Sequence, residues 1–147
     1  MPSAQPKARP KAKPKAKKEP PRWWAAHVVL YLKESRARQA TFLAEENVYL
    51  VRARGEAEAR KRGASLGRAE CVPDNSLRVN GRPAKIVFGG VRRVTWCAAD
   101  PRSETKWPWV RKLRPGVEAT FSTFVVRSRS DLDALIEGRS VSVRYEG

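Results

Sequence analysis

The sequence predicts a single α+β domain, a mainly antiparallel sheet of about five strands with one main and one short helix, in the order β-β-α-β-β-α-β. Three observations lead to this fold class. Apolar residues alternate with period two, most clearly in residues 23–32 and 140–146. Residues 55–70 have a helix-forming composition, and Asn-Gly and Pro-Asp pairs supply turn signals between the segments. A chain of 147 residues has room for one core, which we place in residues 23–147.

The first 22 residues are a low-complexity tail of proline, lysine and alanine. They carry eight lysines and arginines against one acid. Such a segment buries too little surface to offset the entropy of ordering, so we expect a disordered basic tail. Its role is either that of a solubilising leader or that of an electrostatic arm for nucleic acid. The predicted binding residues of the tail are Lys11, Lys13, Lys15, Lys17 and Lys18.

The whole chain has a formal net charge of +16, and the part after the tail is basic as well. This charge predicts attraction to polyanions such as nucleic acid, an anionic membrane surface or an acidic protein. No stretch approaches the roughly 20 apolar residues of a membrane span. The prolines and charges of residues 1–36 also do not fit a secretory or mitochondrial signal, so we expect a soluble, cytoplasmic protein.

The first strand marks the point where the tail gives way to a foldable chain. One of its faces is wholly apolar, while the other mixes apolar residues with His27 and Lys33. We therefore expect a sheet that is covered on one side, with the main helix on the apolar face. Residues 41–53 supply the second strand. The apolar face consists of Trp24, Ala26, Val28, Leu30 and Leu32.

The main helix is predicted over residues 55–70, with Glu56 and Glu58 in the first turn, where the helix dipole favours acids. Its inward face consists of small residues that allow close packing on the sheet. The predicted inward residues are Ala57, Ala64, Gly67 and Cys71 in one row, with Ala59, Gly63 and Leu66 beside it.

A long strand is predicted over residues 83–97, following a turn signal at Asn80-Gly81. The pair Gly89-Gly90 interrupts the alternation and indicates either a bulge in one strand or a turn between two, and we favour the bulge.

The C-terminal part is predicted to contain a loop, a strand, a short helix and a last strand. The loop covers residues 98–116 and the strand covers residues 117–128. Ser130 is the expected N-cap of a helix over residues 131–137, which Gly138 ends. In the last strand, residues 140–146, the side chains of Val141, Val143 and Tyr145 are expected to face the core.

Several of these segments together resemble a family of small bacterial proteins catalogued as a domain of unknown function, number 4288. The resemblance rests on the tryptophan-led first strand, the Val-Arg-Ala end of the second strand before the alanine-rich helix, and residues 86–94 and 116–122. It covers most of residues 23–147. It implies a compact α+β domain in a bacterial protein and assigns no catalytic residues. The basic tail and the tryptophan-rich loop depart from the family pattern.

Trp107-Pro108-Trp109 places two indoles among cations in the predicted loop. Aromatic stacking surfaces beside positive charges suit single-stranded nucleic acid. In the alternative interpretation the indoles fold back and cover the edge of the sheet. The predicted binding residues of the loop are Arg102, Lys106, Trp107, Trp109, Arg111, Lys112 and Arg114.

No pattern for catalysis, a metal or a cofactor occurs in the sequence, so we expect none of these. Cys71 and Cys97 lack a CxxC spacing and are interpreted as reduced, buried thiols. The single histidine, His27, has no catalytic context and is interpreted as a core or interface residue. Arg92-Arg93 would place one guanidinium on each face of a strand, one paired with Glu118 or facing solvent and the other able to contact a phosphate or a partner's carboxylate.

Two functions are compatible with these features. The first is a small non-enzymatic basic module that associates with nucleic acid or another polyanion through its tail and the Trp107/Trp109 loop. The alternative is a protein-interaction domain, of the inhibitor or immunity type, that binds an acidic protein partner.

Overall fold

The computed structural model describes residues 18–35, 38–98, 100 and 114–146. Within them the chain is an α+β fold with a six-stranded antiparallel sheet and two helices, which confirms the predicted class. The predicted strand count was one short, because the two-residue strand β3 was not expected. The elements are β1 (Arg22–Glu34), β2 (Phe42–Ala53), α1 (Glu56–Glu70), β3 (Arg78–Val79), β4 (Arg82–Trp96), β5 (Val117–Val126), α2 (Arg129–Ile136) and β6 (Arg144–Tyr145).

The central strand of the sheet is β1, and the strand order is β3-β4-β1-β2-β5-β6. Its neighbours β2 and β4 pair with it along nearly its whole length. Asn80 and Gly81, with φ angles of 50° and 74°, form the two-residue turn between β3 and β4. The predicted hairpin signal is therefore confirmed.

The predicted bulge in β4 is also confirmed. Gly90 pairs with Val29 and Phe88 with Leu30, so Gly89 is the extra residue. A second register shift makes Arg92 extra. A Cβ atom on Gly89 would lie 2.9 Å from Cδ1 of Ile136, which shows that the glycine lets α2 approach the sheet closely.

Both faces of the sheet are covered, so the expectation of a sheet covered on one side was wrong. The predicted apolar face packs under α1, as expected, around Ala26, Val28 and Leu30. The mixed face also holds a core, because Val29 and Tyr31 pack with residues from β2, β5 and α2. The buried members of this second core are Val29, Tyr31, Phe42, Ala44, Phe124, Val126, Leu132 and Leu135.

The small residues of α1 set its distance from the sheet. Ala59, Gly63 and Gly67 are buried, and a Cβ atom on Gly63 would lie 2.7 Å from Cβ of Ala26. Gly67 lies even closer to the side chain of Val28. The predicted inward row was wrong at Ala57, which is exposed, because the face that contacts the sheet is centred on Ala59.

Three predictions for the C-terminal part need correction. The helix α2 begins at Arg129 with Ser128 as its N-cap, since Oγ of Ser128 accepts a hydrogen bond of 3.0 Å from the backbone N–H of Asp131. The preceding strand ends at Val126. The last strand contains only Arg144–Tyr145, and Tyr145 is 72% exposed instead of facing the core. Val141 and Val143 do pack against the second core, but from irregular backbone.

Candidate nucleic-acid interface

One end of the sheet collects several chain segments that the sequence analysis treated separately. The register pairs Arg22 with Ala53, Trp24 with Trp96 and Leu50 with Val117. The start of β1 therefore lies beside the ends of β2 and β4 and the start of β5. The basic tail joins the sheet at this end, and so do both ends of the segment between β4 and β5. We call this region the basic end; its described members are Lys18, Pro21, Arg22, Trp23, Arg52, Arg54, Lys61, Arg62, Trp96 and Arg114.

The most exposed aromatic group of the basic end is Trp96, the last residue of β4. Its side chain is 50% exposed, and the guanidinium carbon of Arg22 lies 5.7 Å from the ring centroid. This distance is typical of a cation–π contact. A flat ring next to a planar cation presents stacking surface and positive charge at the same place.

A second arginine–tryptophan pair lies beside the first. The guanidinium carbon of Arg52 is 5.9 Å from the ring centroid of Trp23, which is buried. Nη2 of Arg52 also donates a hydrogen bond of 3.2 Å to the carbonyl oxygen of Pro21, which holds the end of the tail against β2. The two pairs line an open cavity of about 280 Å³ together with Pro21, Cys97, Ala98 and Asp100.

A larger open cavity of about 480 Å³ lies next to the first, between β2, α1 and the start of β5. Arg52, Lys61 and Arg62 supply positive charge to its lining, and Glu58 is its one acid among the described residues. Glu58 accepts hydrogen bonds from the backbone N–H of Arg54 at 2.8 Å and from Arg62 at 2.7 Å, and both lower the pKa of Glu58. Lys61 has no carboxylate partner in the described part of the chain, so the cavity keeps excess positive charge.

Most of the predicted binding residues lie outside the described ranges. Lys18 and Arg114 are described and exposed, and they are members of the basic end. The remaining tail and loop residues stay predictions, and so does the exposure of Trp107 and Trp109. The predicted residues outside the described ranges are Lys11, Lys13, Lys15, Lys17, Arg102, Lys106, Trp107, Trp109, Arg111 and Lys112.

His27 is buried beside an acid and an arginine that come from two other strands. Its Nδ1 lies 2.6 Å from Oε1 of Glu46, and Nη1 of Arg92 donates to Oε2 of Glu46 at 2.7 Å. The hydrogen bond with His27 and the contact with Arg92 lower the pKa of Glu46 from 4.5 to about 2, against the effect of burial. The interpretation of His27 as a core residue is confirmed. Of the two predicted alternatives for an arginine of the Arg92-Arg93 pair, the solvent-facing one is confirmed for Arg93, which is exposed, whereas no pairing with Glu118 occurs among the described residues. The bulge directs Arg92 to Glu46 instead.

The described residues contain no group of three or more histidines, cysteines, aspartates or glutamates that could hold a metal ion. Cys71 and Cys97 are free and half-buried, and burial raises the pKa of both thiols. Within the described ranges, no helix is long and apolar enough to cross a membrane.

Sequence reasoning missed Arg22, Arg52 and Trp96 as parts of a common site. Arg22 directly precedes Trp23 in the sequence. The two arginine–tryptophan contacts, however, each join residues from different strands. Only the register of β1 with β2 and β4 brings them together, and no spacing along the chain reveals that register.

No family model, no curated protein and no solved structure matches this chain. The resemblance to the bacterial family of unknown function therefore stays a prediction.

Proposed function

We propose that the protein is a non-enzymatic, cytoplasmic binding module that associates with nucleic acid through its basic end, its tail and the Trp107/Trp109 loop. The observation that carries this proposal is the contact of Arg22 with the half-exposed ring of Trp96. This contact lies where the lysine-rich tail and the tryptophan-rich loop both join the sheet.

Two kinds of contact contribute to binding in this proposal. The lysines and arginines neutralise phosphates and release counterions, which gives affinity without sequence preference. The ring of Trp96 and the guanidinium plane of Arg22 offer stacking surface for an unpaired base, worth about 1–3 kcal/mol per base. Single strands should therefore gain a contribution that duplexes lack.

Replacing Trp96 with alanine should weaken binding of a single-stranded oligonucleotide by about 1–3 kcal/mol, because one stacking surface is lost. Binding of a duplex should change little, since its bases are already stacked. The measurement is fluorescence anisotropy with labelled oligonucleotides at low salt, with the thermal midpoint of each variant recorded.

Phe121→Ala is the matched control for this experiment. Phe121 is 60% exposed in β5 and pairs with Asn47, away from the basic end. Its removal should leave both affinities unchanged. Equal single-strand affinity of Trp96→Ala and the wild type would contradict the stacking contribution.

A second candidate function is binding of an acidic protein partner, and the open edge of β5 favours it. In the described part of the chain, β5 pairs with β6 only at Phe124 and Val125, and residues 118–122 are exposed at the sheet edge. Such an edge can accept an additional strand from a partner. Capture of an acidic protein from a nuclease-treated lysate, abolished by Phe121→Ala, would support this function over nucleic-acid binding.

A further inference from the structure

Arg52, near the end of β2, contacts both the end of the tail and the first strand. Its Nη2 donates a hydrogen bond of 3.2 Å to the carbonyl oxygen of Pro21, and its guanidinium carbon lies 5.9 Å from the ring centroid of Trp23. Trp23 is 4% exposed, so the guanidinium lies on a ring that the fold holds in place. Arg52 forms no ion pair among the described residues, so no carboxylate neutralises its positive charge there.

The first residues of β1 are held from both faces of the sheet. Neighbouring residues of a strand point to opposite faces, so the side chains of Arg22 and Trp23 diverge. The side chain of Arg22 contacts Trp96 of β4, whereas that of Trp23 contacts Arg52 of β2. The backbone carbonyl of Trp23 also accepts a hydrogen bond of 3.0 Å from the N–H of Cys97. The two neighbouring strands therefore fix the point at which the tail enters the sheet.

The four residues before β1 are exposed, and we call residues 18–21 the tail root. The tail root ends in two consecutive prolines. A proline ring fixes φ, and proline-rich segments stay extended over several residues. Because Arg52 holds the carbonyl of Pro21, the direction of the residues before it is restricted as well. Pro21 directly precedes Arg22, so the tail begins next to the contact of Arg22 with Trp96.

We propose that Arg52 is a positioning residue for single-stranded nucleic acid. It holds the tail root so that a strand whose base stacks on Trp96 also contacts the lysines of the tail. Each contact then raises the effective concentration of the other, so that the tail and the ring bind one strand cooperatively. A duplex has no unpaired base for the ring and gains nothing from this alignment. The inference rests on the proposed nucleic-acid binding and gives Arg52 a role that acts through the tail and Trp96.

The substitution Arg52→Lys tests the proposal, since lysine keeps the positive charge but lacks the planar guanidinium that lies on the ring and donates to the carbonyl. We expect the affinity of the full chain for a single-stranded oligonucleotide to fall by roughly three- to tenfold. The affinity for a duplex and its dependence on salt should stay as in the wild type, because no charge is lost. Fluorescence anisotropy measures both affinities, and the thermal midpoint of each variant is recorded.

A double-mutant cycle with Trp96→Ala separates positioning from a general effect on the fold. If Arg52 acts by aligning the tail with the ring, Arg52→Lys should change single-strand affinity by less than about twofold in the Trp96→Ala background. A second variant replaces Pro20 and Pro21 with glycine, which removes the stiffness of the tail root without changing a charge. It should weaken single-strand binding to the same extent as Arg52→Lys.

The matched control is Arg54→Lys, because Arg54 is exposed at the basic end and its side chain forms no hydrogen bond or ion pair within the described structure. This variant should bind both oligonucleotides as the wild type does. Undetectable binding by the wild type would contradict the proposed function and this inference together. If the wild type binds, three results would overturn this inference alone. They are unchanged single-strand affinity of Arg52→Lys, an equal loss of duplex affinity, and an equally large effect of Arg52→Lys in the Trp96→Ala background.

Discussion

Replacing Glu46 with glutamine is expected to lower the free energy of unfolding by roughly 2–3 kcal/mol at neutral pH. Glu46 is the shared partner of His27 and Arg92 on the face of the sheet that α2 partly covers. Glutamine keeps the shape of the side chain but removes its charge. The guanidinium of Arg92 then loses its carboxylate in a partly buried position.

The effect of this substitution should depend on pH in a definite direction. The pKa of Glu46 is lowered from 4.5 to about 2, chiefly by the hydrogen bond with His27 and then by Arg92. A carboxyl with a lower pKa in the folded state stabilises the fold above its unfolded pKa, and this stabilisation is lost as pH falls through the folded value. The difference between wild type and Glu46→Gln should therefore shrink between about pH 5 and pH 2.

Urea denaturation at several pH values between 2 and 7 measures this difference. Glu137→Gln is the matched control, because Glu137 forms an exposed pair with Arg139 at 2.7 Å and should change stability by less than about 0.5 kcal/mol. A difference for Glu46→Gln that stays constant down to pH 2 would show that its charge does not stabilise the fold.

Replacing Leu132 with alanine should cost about 2–5 kcal/mol of stability, because the side chain is completely buried between α2 and the sheet. The urea midpoint should fall while the denaturant slope stays unchanged. Val72→Ala, at an exposed apolar residue, is the control and should remain close to wild type. Near-wild-type stability of Leu132→Ala would mean that α2 does not cover the second face.

The sequence of β1 predicts the environment of one of its faces but not that of the other. The wholly apolar face, including Ala26 and Val28, identified both the strand and the face under the main helix. The other face looked solvent-exposed because it contains His27 and Lys33. His27 is instead paired with Glu46 from β2, and Glu46 in turn accepts a hydrogen bond from Arg92 of β4. Period-two patterns do not show such partners, so the second covered face was missed.

The C-terminal corrections have a similar cause. Alternation in residues 140–146 predicted a full strand, but a strand also needs a neighbouring strand that runs alongside it. In the described part of the chain, the last segment pairs with β5 only at Phe124 and Val125, so the strand is limited to Arg144–Tyr145. The helix start was misplaced by two residues because Ser128 and Ser130 are both good N-caps, and only the contact with the backbone N–H of Asp131 decides between them.

The candidate sites were predictable where composition carries the signal. Runs of lysine and the Trp107-Pro108-Trp109 segment are visible in the sequence. The contact of Arg22 with Trp96 depends on strand register, and so does the contact of Arg52 with Trp23. Tertiary structure alone brings these groups together.

We expect nucleic acid to bind through the tail and the basic end. The most direct test is the salt dependence of duplex affinity for the full chain and for a variant with Lys11, Lys13, Lys15, Lys17 and Lys18 replaced by glutamine. If all five lysines contact phosphates, the slope of log affinity against log salt should become less steep by about 4–5. The control variant replaces Lys33 and Lys85 and should leave the slope unchanged. These two lysines lie opposite each other in the register of β1 with β4, at the other end of the sheet. An unchanged slope in the five-lysine variant, or undetectable binding by the wild type at low salt, would contradict the claim.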